Sequence, residues 1–509
     1  MDTAPDPGRG TRLASLLNRP VVLLATGLGL SAAAGSGFIA VVNHSMPPIR
    51  VAPLPGLYFL LAAIGTGMFA AFEQEMTRAV SRALALGHSE PQVIRHQVRN
   101  AAWVGVGTLA LVCAASPFVT HHWMYGDWAV FAELLIGLAG IWASFLVRGV
   151  LSGRRQFRSY AITMVVEGLA RLLPSIVLAA LALGSTWSQG LVFALGPMVA
   201  AVSGLLVARA PIPYADALGA TETAAANAPP AEAVQAQAVV DTAPENASAG
   251  NAAPDGSALD NTVLDTAPET ANQAAARLAR LTGGVLAGQV LMYAMPLVVT
   301  GRLTTDSKLA ISVASAVGLT RLGLLILFPL QAPLLPRLTA AAALGRMAEV
   351  RRTTAALVAI CVAAGIAGIV ASGLVGPWVL TTVMGAKVRL SAVLLMELSL
   401  GTLFLLVANI LQSALTALNR QQTVLFAWCL GVVTMFVVFA VPLGPLTTAA
   451  VASIAGPAAT MALMALDVLR VTGGRPASAR RDEVATHKGP AAAERGEPAP
   501  SSAHQANVR

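Results

Sequence analysis

Charged side chains placed inside long apolar runs are the part of this sequence that could do chemistry. Arg321 falls about twelve residues into the run 309–330, near the middle of any helix that run forms. Glu167 and Arg171 stand four residues apart in the run 159–183, on one helical face, where they can neutralise one another. A charge at mid-bilayer costs roughly 2.5–3.5 kcal/mol on insertion scales, so such residues normally face a cavity or a partner. Arginine donates paired hydrogen bonds to phosphate oxygens from a planar fork and stays charged at any relevant pH. Arg321 and Arg171 are therefore candidate ligands of an anionic phosphate, with Glu167 either in the site or the counter-charge of Arg171. The plainer alternatives are a structural ion pair for Glu167–Arg171 and capping of broken backbone by Arg321.

Glu133 and Glu397 lie near the ends of two further runs and could hold a coupling cation or sugar hydroxyls; alternatively they are interfacial residues that reach water. Gln289 and Tyr293, four apart, could line a path and bond sugars, or bond a neighbouring helix instead. Arg302, just past their run, reads as an interface anchor. No metal or cofactor is expected. His121 and His122 are adjacent rather than four apart, and Cys113, Cys361 and Cys429 fall singly in separate runs, as small core residues would. A Gly-rich phosphate-binding sequence of the ATPase kind is missing, so ATP does not drive the chain directly.

The elements that must position these residues are membrane helices. Hydrophobic residues make up 56% of the chain and charged ones 11%, with a mean hydropathy of +0.69; a soluble protein carries about 25% charged residues. The apolar runs are long enough to cross about 30 Å of hydrocarbon as helices, and the short alternating segments of a β-barrel do not occur. Twelve spans are expected, near 20–42, 54–75, 100–121, 128–150, 159–183, 186–208, 283–300, 309–330, 354–376, 391–416, 422–441 and 446–468. With the N-terminus in the cytoplasm, nineteen arginines, Arg148 and Arg420 among them, fall beside inner ends and only Arg50, Arg302, Lys308, Lys387 and Arg389 outside. That asymmetry fixes the orientation and places both termini inside. It also accounts for the net charge of +8 without nucleic acid as a partner. High Ala, Gly and Arg content suggests a GC-rich bacterium, whose inner membrane these spans are expected to cross.

The organisation is a cytoplasmic N-terminus (1–19), a six-helix lobe (20–209), a linker (210–276), a second six-helix lobe (277–470) and a cytoplasmic tail (471–509). The linker holds nine acidic residues, no Lys or Arg, and a repeated Asp-Thr-Ala-Pro at Asp241 and Asp265. Like the Pro/Ala-rich tail, it is expected to be disordered, because it cannot bury enough apolar surface to offset ordering entropy. The lobes look like copies. Aligning Arg155-Gln156 on Arg420-Gln421 brings Glu133 within one residue of Glu397. Internal duplication with an even split is a transporter signature, with the substrate path between the repeats.

Three stretches carry a family resemblance: RGVLSGRRQFRSY from Arg148 to Tyr160, TRLGLLILFPLQAPLLPRL from Thr320 to Leu338, and LQSALTALNRQ from Leu411 to Gln421. In them the chain resembles the polysaccharide (oligosaccharidyl-lipid) flippases of the multidrug/oligosaccharidyl-lipid/polysaccharide superfamily, across both halves. The resemblance implies an all-α polytopic membrane protein of two six-helix lobes (MATE/MOP-like) around a cavity open alternately to each side. It also implies a non-enzymatic transporter of undecaprenyl- or decaprenyl-phosphate-linked sugars. The substrate partner would be that polyprenyl-linked glycan among membrane lipids, and glycan-assembly enzymes would dock on the linker and tail. The long linker departs from the short connection usual in the family. A drug or cation antiporter on the same fold predicts an acidic, aromatic-lined pocket, against which stand Arg321 and an aromatic content of only 5%. A membrane glycosyltransferase or glycan polymerase needs larger outer loops, and a scaffold would tolerate loss of Arg321.

Overall fold

The computed structural model describes residues 20–85, 88–208, 271–326, 338, 341–342, 344–418 and 420–473. The expected N-terminal segment, nearly all of the linker and all but the first residues of the tail lie outside them. In chain order the helices are α1 (Pro20–Ser45), α2 (Pro48–Leu84), α3 (Glu90–Ala114 continued as Ser116–Trp123), α4 (Trp128–Gly153), α5 (Phe157–Ala180) and α6 (Thr186–Ala208). After the linker come α7 (Ala271–Arg302), α8 (Ser307–Thr320), α9 (Met347–Leu374), α10 (Ala392–Ala417), α11 (Gln421–Ala440) and α12 (Pro445–Gly473). The chain is an all-helical, multi-pass membrane protein.

Ten of these helices are long and apolar enough to cross a bilayer, and α3 makes an eleventh despite a 64° bend at Ala115. The expected eighth span departs from a plain helix. Its α-helical part stops at Thr320 after 14 residues and tightens into a 3-10 turn over Arg321–Ile326. Such mid-span breaks occur where irregular backbone lines a cavity or is covered by protein. Pro329, in the same expected span, lies outside the described residues. Boundaries also move: α7 begins at Ala271, inside the expected linker, and α12 runs to Gly473, into the expected tail.

The duplication is visible in packing. In the first lobe α1 packs on α5, α2 on α4, and α6 on both α4 and α5; in the second, α7 packs on α11, α8 on α10, and α12 on both α10 and α11. Equivalent side chains cap equivalent helices. The Asp127 carboxylate accepts from Ala129 N at 2.9 Å to start α4, and Ser391 Oγ accepts from Leu394 N at 3.2 Å to start α10. The lobes meet where α2 lies on α7 and, symmetrically, α1 lies on α8. On the face away from the termini they are stitched shut. Asn43 of α1 donates to Ser315 Oγ at 3.0 Å and to the Met384 carbonyl at 2.7 Å, and Gly385 leaves no room for a side chain against His44.

Two sequence readings need correction here. Arg148, expected beside the inner end of its span as an orientation charge, is instead 7% exposed within α4, which continues to Gly153. Of the three cysteines only Cys361 is buried, while Cys113 and Cys429 lie on the outer surface.

Candidate functional site

In the first lobe the α4–α5 pair builds a charged network. Glu167 accepts from Arg171 Nη2 and from Arg148 Nη2, both at 2.6 Å, and all three side chains are largely buried. Arg148 Nε also donates to Thr163 Oγ1 at 3.2 Å. One turn nearer the termini face, the Tyr160 hydroxyl donates to Glu73 of α2 at 2.6 Å. The Arg148 guanidinium carbon lies 5.9 Å from the centre of the same Tyr160 ring, which stands between it and Glu73. Two cations therefore share one carboxylate, with a second carboxylate nearby. The sequence reading missed Arg148, Tyr160 and Glu73; Glu73 lies in the expected second span, and its charge inside that run was the available signal.

Arg171 reaches from α5 across Gly196 of α6, where an added Cβ would meet its Cγ at 2.7 Å. There its guanidinium lies 4.4 Å from the centre of the Phe193 ring, within cation–π range. From Phe193 an aromatic row crosses the molecule. Phe193 touches Tyr58 with ring centres 5.6 Å apart, Tyr58 touches Phe59 at 5.1 Å, and Phe59 approaches Tyr293 of α7 at 6.2 Å. The row ends on Arg321, whose guanidinium carbon is 5.2 Å from the Tyr293 ring centre. Each lobe thus contributes one arginine to one end of a row spanning the interface between lobes. The low aromatic fraction conceals this, because Phe38, Tyr58, Phe59, Phe193 and Tyr293 converge from four helices. A recess of about 490 Å³ beside the row is almost wholly apolar.

Arg321 sits where α8 changes from α to 3-10 geometry, at the edge of a recess of about 310 Å³ that also includes Thr320, Thr402 and Pro457. Its Nη1 is buried and has no hydrogen-bond partner among the described residues. An orphaned guanidinium nitrogen costs free energy until an acceptor arrives, so this is where an incoming anion gains most.

Gln289 and Tyr293, one turn apart on α7, serve different spaces. Tyr293 faces Arg321, whereas Gln289 lines a cavity of about 1050 Å³ between α7, α10 and α11, on the termini face. Asn409, Gln412, Gln421, Gln422 and Trp428 complete its polar lining. Trp428 Nε1 donates to Gln412 Oε1 at 2.7 Å. Neutral amides with an aromatic plane suit polyhydroxylated ligands, offering both donors and acceptors without charge.

The two repeat-related glutamates differ. Glu397 is half-buried on α10. Glu133 is 1% exposed, packed onto Gly190 of α6, and neither carboxylate oxygen has a hydrogen-bond partner among the described residues. That excludes the water-facing interfacial reading for Glu133. Gln189 Oε1 and Ser175 Oγ, on the neighbouring α6 and α5, are likewise buried without partners among the described residues, while Gln189 Nε2 donates to the Ser175 carbonyl. Arg302 donates to the Phe439 carbonyl at 2.6 Å, closing the end of α11. Among the described residues no group of three or more His, Cys, Asp or Glu gathers to hold a metal.

No protein-family model matches the sequence. Two curated relatives are 25% identical over 173 residues: "Uncharacterized protein Rv3630" of Mycobacterium tuberculosis and "Uncharacterized protein Mb3654" of Mycobacterium bovis. The match covers 34% of this chain, and the chain spans only 40% of the length of those relatives. Solved structures align over nearly the whole chain. An inward-facing multidrug resistance MATE family transporter of the MOP superfamily superposes with TM-score 0.63 at 12% identity, over 87% of this chain and 95% of that one. The lipid II flippase MurJ in an inward closed conformation gives 0.57 at 11% identity, over 90% and 88%. An outward-facing MATE transporter gives 0.55 at 13%, over 92% and 99%. The chain therefore has the two-lobed fold of that superfamily.

Proposed function

We propose that the chain is a transporter that flips polyprenyl-(di)phosphate-linked oligosaccharide or polysaccharide repeat units across a bacterial inner membrane by alternating access, with both termini cytoplasmic. The observation that carries this reading is the buried, unpartnered Nη1 of Arg321, facing Arg171 along the aromatic row. A diphosphate enters from the termini face, takes its hydrogen bonds from Arg321, and draws the attached sugars along the amide cavity beside Gln289. Arg171 stands at the far end, held in place by Glu167. The stitched contacts of Asn43 and His44 make the present state closed on the opposite, outer face. Opening there requires α1 to part from α8, which moves the Arg321–Tyr293 end relative to Arg171. Glycan-assembly enzymes would meet the linker and tail on the cytoplasmic side.

Glu133 supplies a route for coupling. A carboxylate sealed from water with no donor among the described residues is costly, so its charge there calls for a cation, of which a proton is the smallest. We assign Glu133, with Gln189 and Ser175, to binding a coupling cation. In Glu133→Gln the amide mimics the protonated acid. Flipping in proteoliposomes should then proceed at the same rate, within about twofold, with or without a pH gradient, while wild type responds to one. An undiminished response in the variant sinks the assignment.

A second reading has one observation in its favour: the apolar recess beside Phe38, Tyr58 and Phe193 would accept a flat organic cation. Arg321 opposes it by charge. The deciding experiment reconstitutes the full chain and follows, in the same liposomes, a labelled polyprenyl-diphosphate glycan and an aromatic cation. Glycan movement above protein-free liposomes supports the flippase; cation movement without it establishes the antiporter instead.

A further inference from the structure

A groove of about 770 Å³ opens in the wall of the second lobe between α8, α9 and α10. Thr320 and Thr402 line both this groove and the recess around Arg321, so the two spaces lie side by side. From there the groove follows α9 past Ile360, Ala364 and Gly368 to Ser372. The twelve steps from Ile360 to Ser372 amount to about 18 Å of helical rise. Ile360, Ala364 and Gly368 are exposed on the outside of the bundle, so the groove is open sideways to hydrocarbon. Its few hydroxyls are turned inward on the protein. Thr402 donates to the Leu398 carbonyl at 3.1 Å, Thr320 to the Val317 carbonyl at 3.2 Å, and Ser399 to Ser372 at 2.7 Å. The lining therefore offers an occupant little but hydrocarbon contact.

We propose that this groove holds the apolar chain of a single-chain anionic lipid whose phosphate rests on Arg321, an inference that builds on the phosphate reading of that residue. An apolar channel alone would suit any oil. Here it begins beside a guanidinium whose buried Nη1 has no acceptor among the described residues, and that pairing selects a chain ending in phosphate. The arrangement also separates two tasks. The polar head can change sides through the space between the lobes while its tail slides along α9, never leaving an apolar surface.

Gly368 gives the test its handle. An added side chain there meets open space, so Gly368→Leu fills the groove without disturbing the helices; Ala364→Leu, at another exposed position, is a second filling variant. Gly107 on α3 is also exposed with open space, and Gly107→Leu is the control. The full chain in nanodiscs is irradiated with farnesyl diphosphate bearing a diazirine at the far end of its chain, and adducts are mapped by mass spectrometry. Adducts are expected between 360 and 372. Either filling variant should lower their yield about tenfold, equivalent to 1.4 kcal/mol of binding, and the control should not. The farnesol analogue, lacking phosphate, should label weakly. Equal labelling by the alcohol, or undiminished labelling in both filling variants, overturns the proposal. Labelling by a diacyl phosphatidic acid probe alone does so too, by making the site an ordinary membrane-lipid contact. Because the readout is binding, a wild type that labels but does not flip glycan sinks the transport reading and leaves the groove standing. A wild type that flips without labelling does the reverse.

Discussion

Arg321→Ala should lower glycan translocation by about 10- to 100-fold while leaving the folded protein as stable as wild type. A charged hydrogen bond is worth about 1.5–3 kcal/mol, and each 1.4 kcal/mol is tenfold, which sets the range. Stability behaves differently because two terms oppose each other in the empty carrier. Removing Arg321 loses the contact with the Tyr293 ring, worth about 0.5–2 kcal/mol. It also removes a buried donor with no acceptor, whose penalty is about 1–3 kcal/mol. The two roughly cancel. Arg321→Lys keeps the charge and loses the planar fork, so an intermediate rate is expected. The measurement is initial flipping rate in proteoliposomes beside a melting curve in detergent. A residue that merely held the broken end of α8 would give the opposite pattern: a lowered melting temperature, with flipping per folded molecule intact. Wild-type rates in Arg321→Ala would remove it from the mechanism.

Much of the architecture was legible because a bilayer enforces simple rules. Apolar runs of about twenty residues must be helices. The repeat read from Arg155-Gln156 and Arg420-Gln421 reappears as matching helix pairs. Arg321 could be singled out because a lone cation in a long apolar run has few innocent explanations. What the sequence concealed depends on tertiary placement. Arg148 sits near the end of its expected span, close to the basic stretch Arg154–Arg155, and only the packing of α5 against α4 gives it Glu167 as a buried partner. Glu133 and Glu397 match in register but not in environment, since Gly190 lets α6 close over Glu133. The aromatic row is drawn from α1, α2, α6 and α7, and composition averages such convergence away. That same averaging weakened the argument from low aromatic content against an antiporter, which now rests on the charge of Arg321.

The second large effect belongs to Glu167, and it falls on folding before it falls on transport. Arg148, Arg171, Glu167 and Glu73 together carry no net charge, and the first three are joined by two contacts of 2.6 Å in a largely buried setting. Glu167→Gln keeps the shape but leaves two guanidinium groups facing a single remaining carboxylate. Removing one partner from a buried ion pair costs about 3–5 kcal/mol. Spread over a lobe of this size, that should lower the melting temperature of the detergent-solubilised protein by roughly 10 °C. The double variant Glu167→Gln/Arg171→Gln is again neutral, with Arg148 and Glu73 left to balance, and should recover at least half of the loss. Transport in that rescued protein then separates the roles of Arg171. If Arg171 binds phosphate, the double variant is stable and slow; if it exists only to match Glu167, the double variant is stable and flips at the wild-type rate. An unchanged melting temperature in Glu167→Gln alone would mean that water already reaches the cluster, and the low-dielectric description of the first lobe would have to be given up.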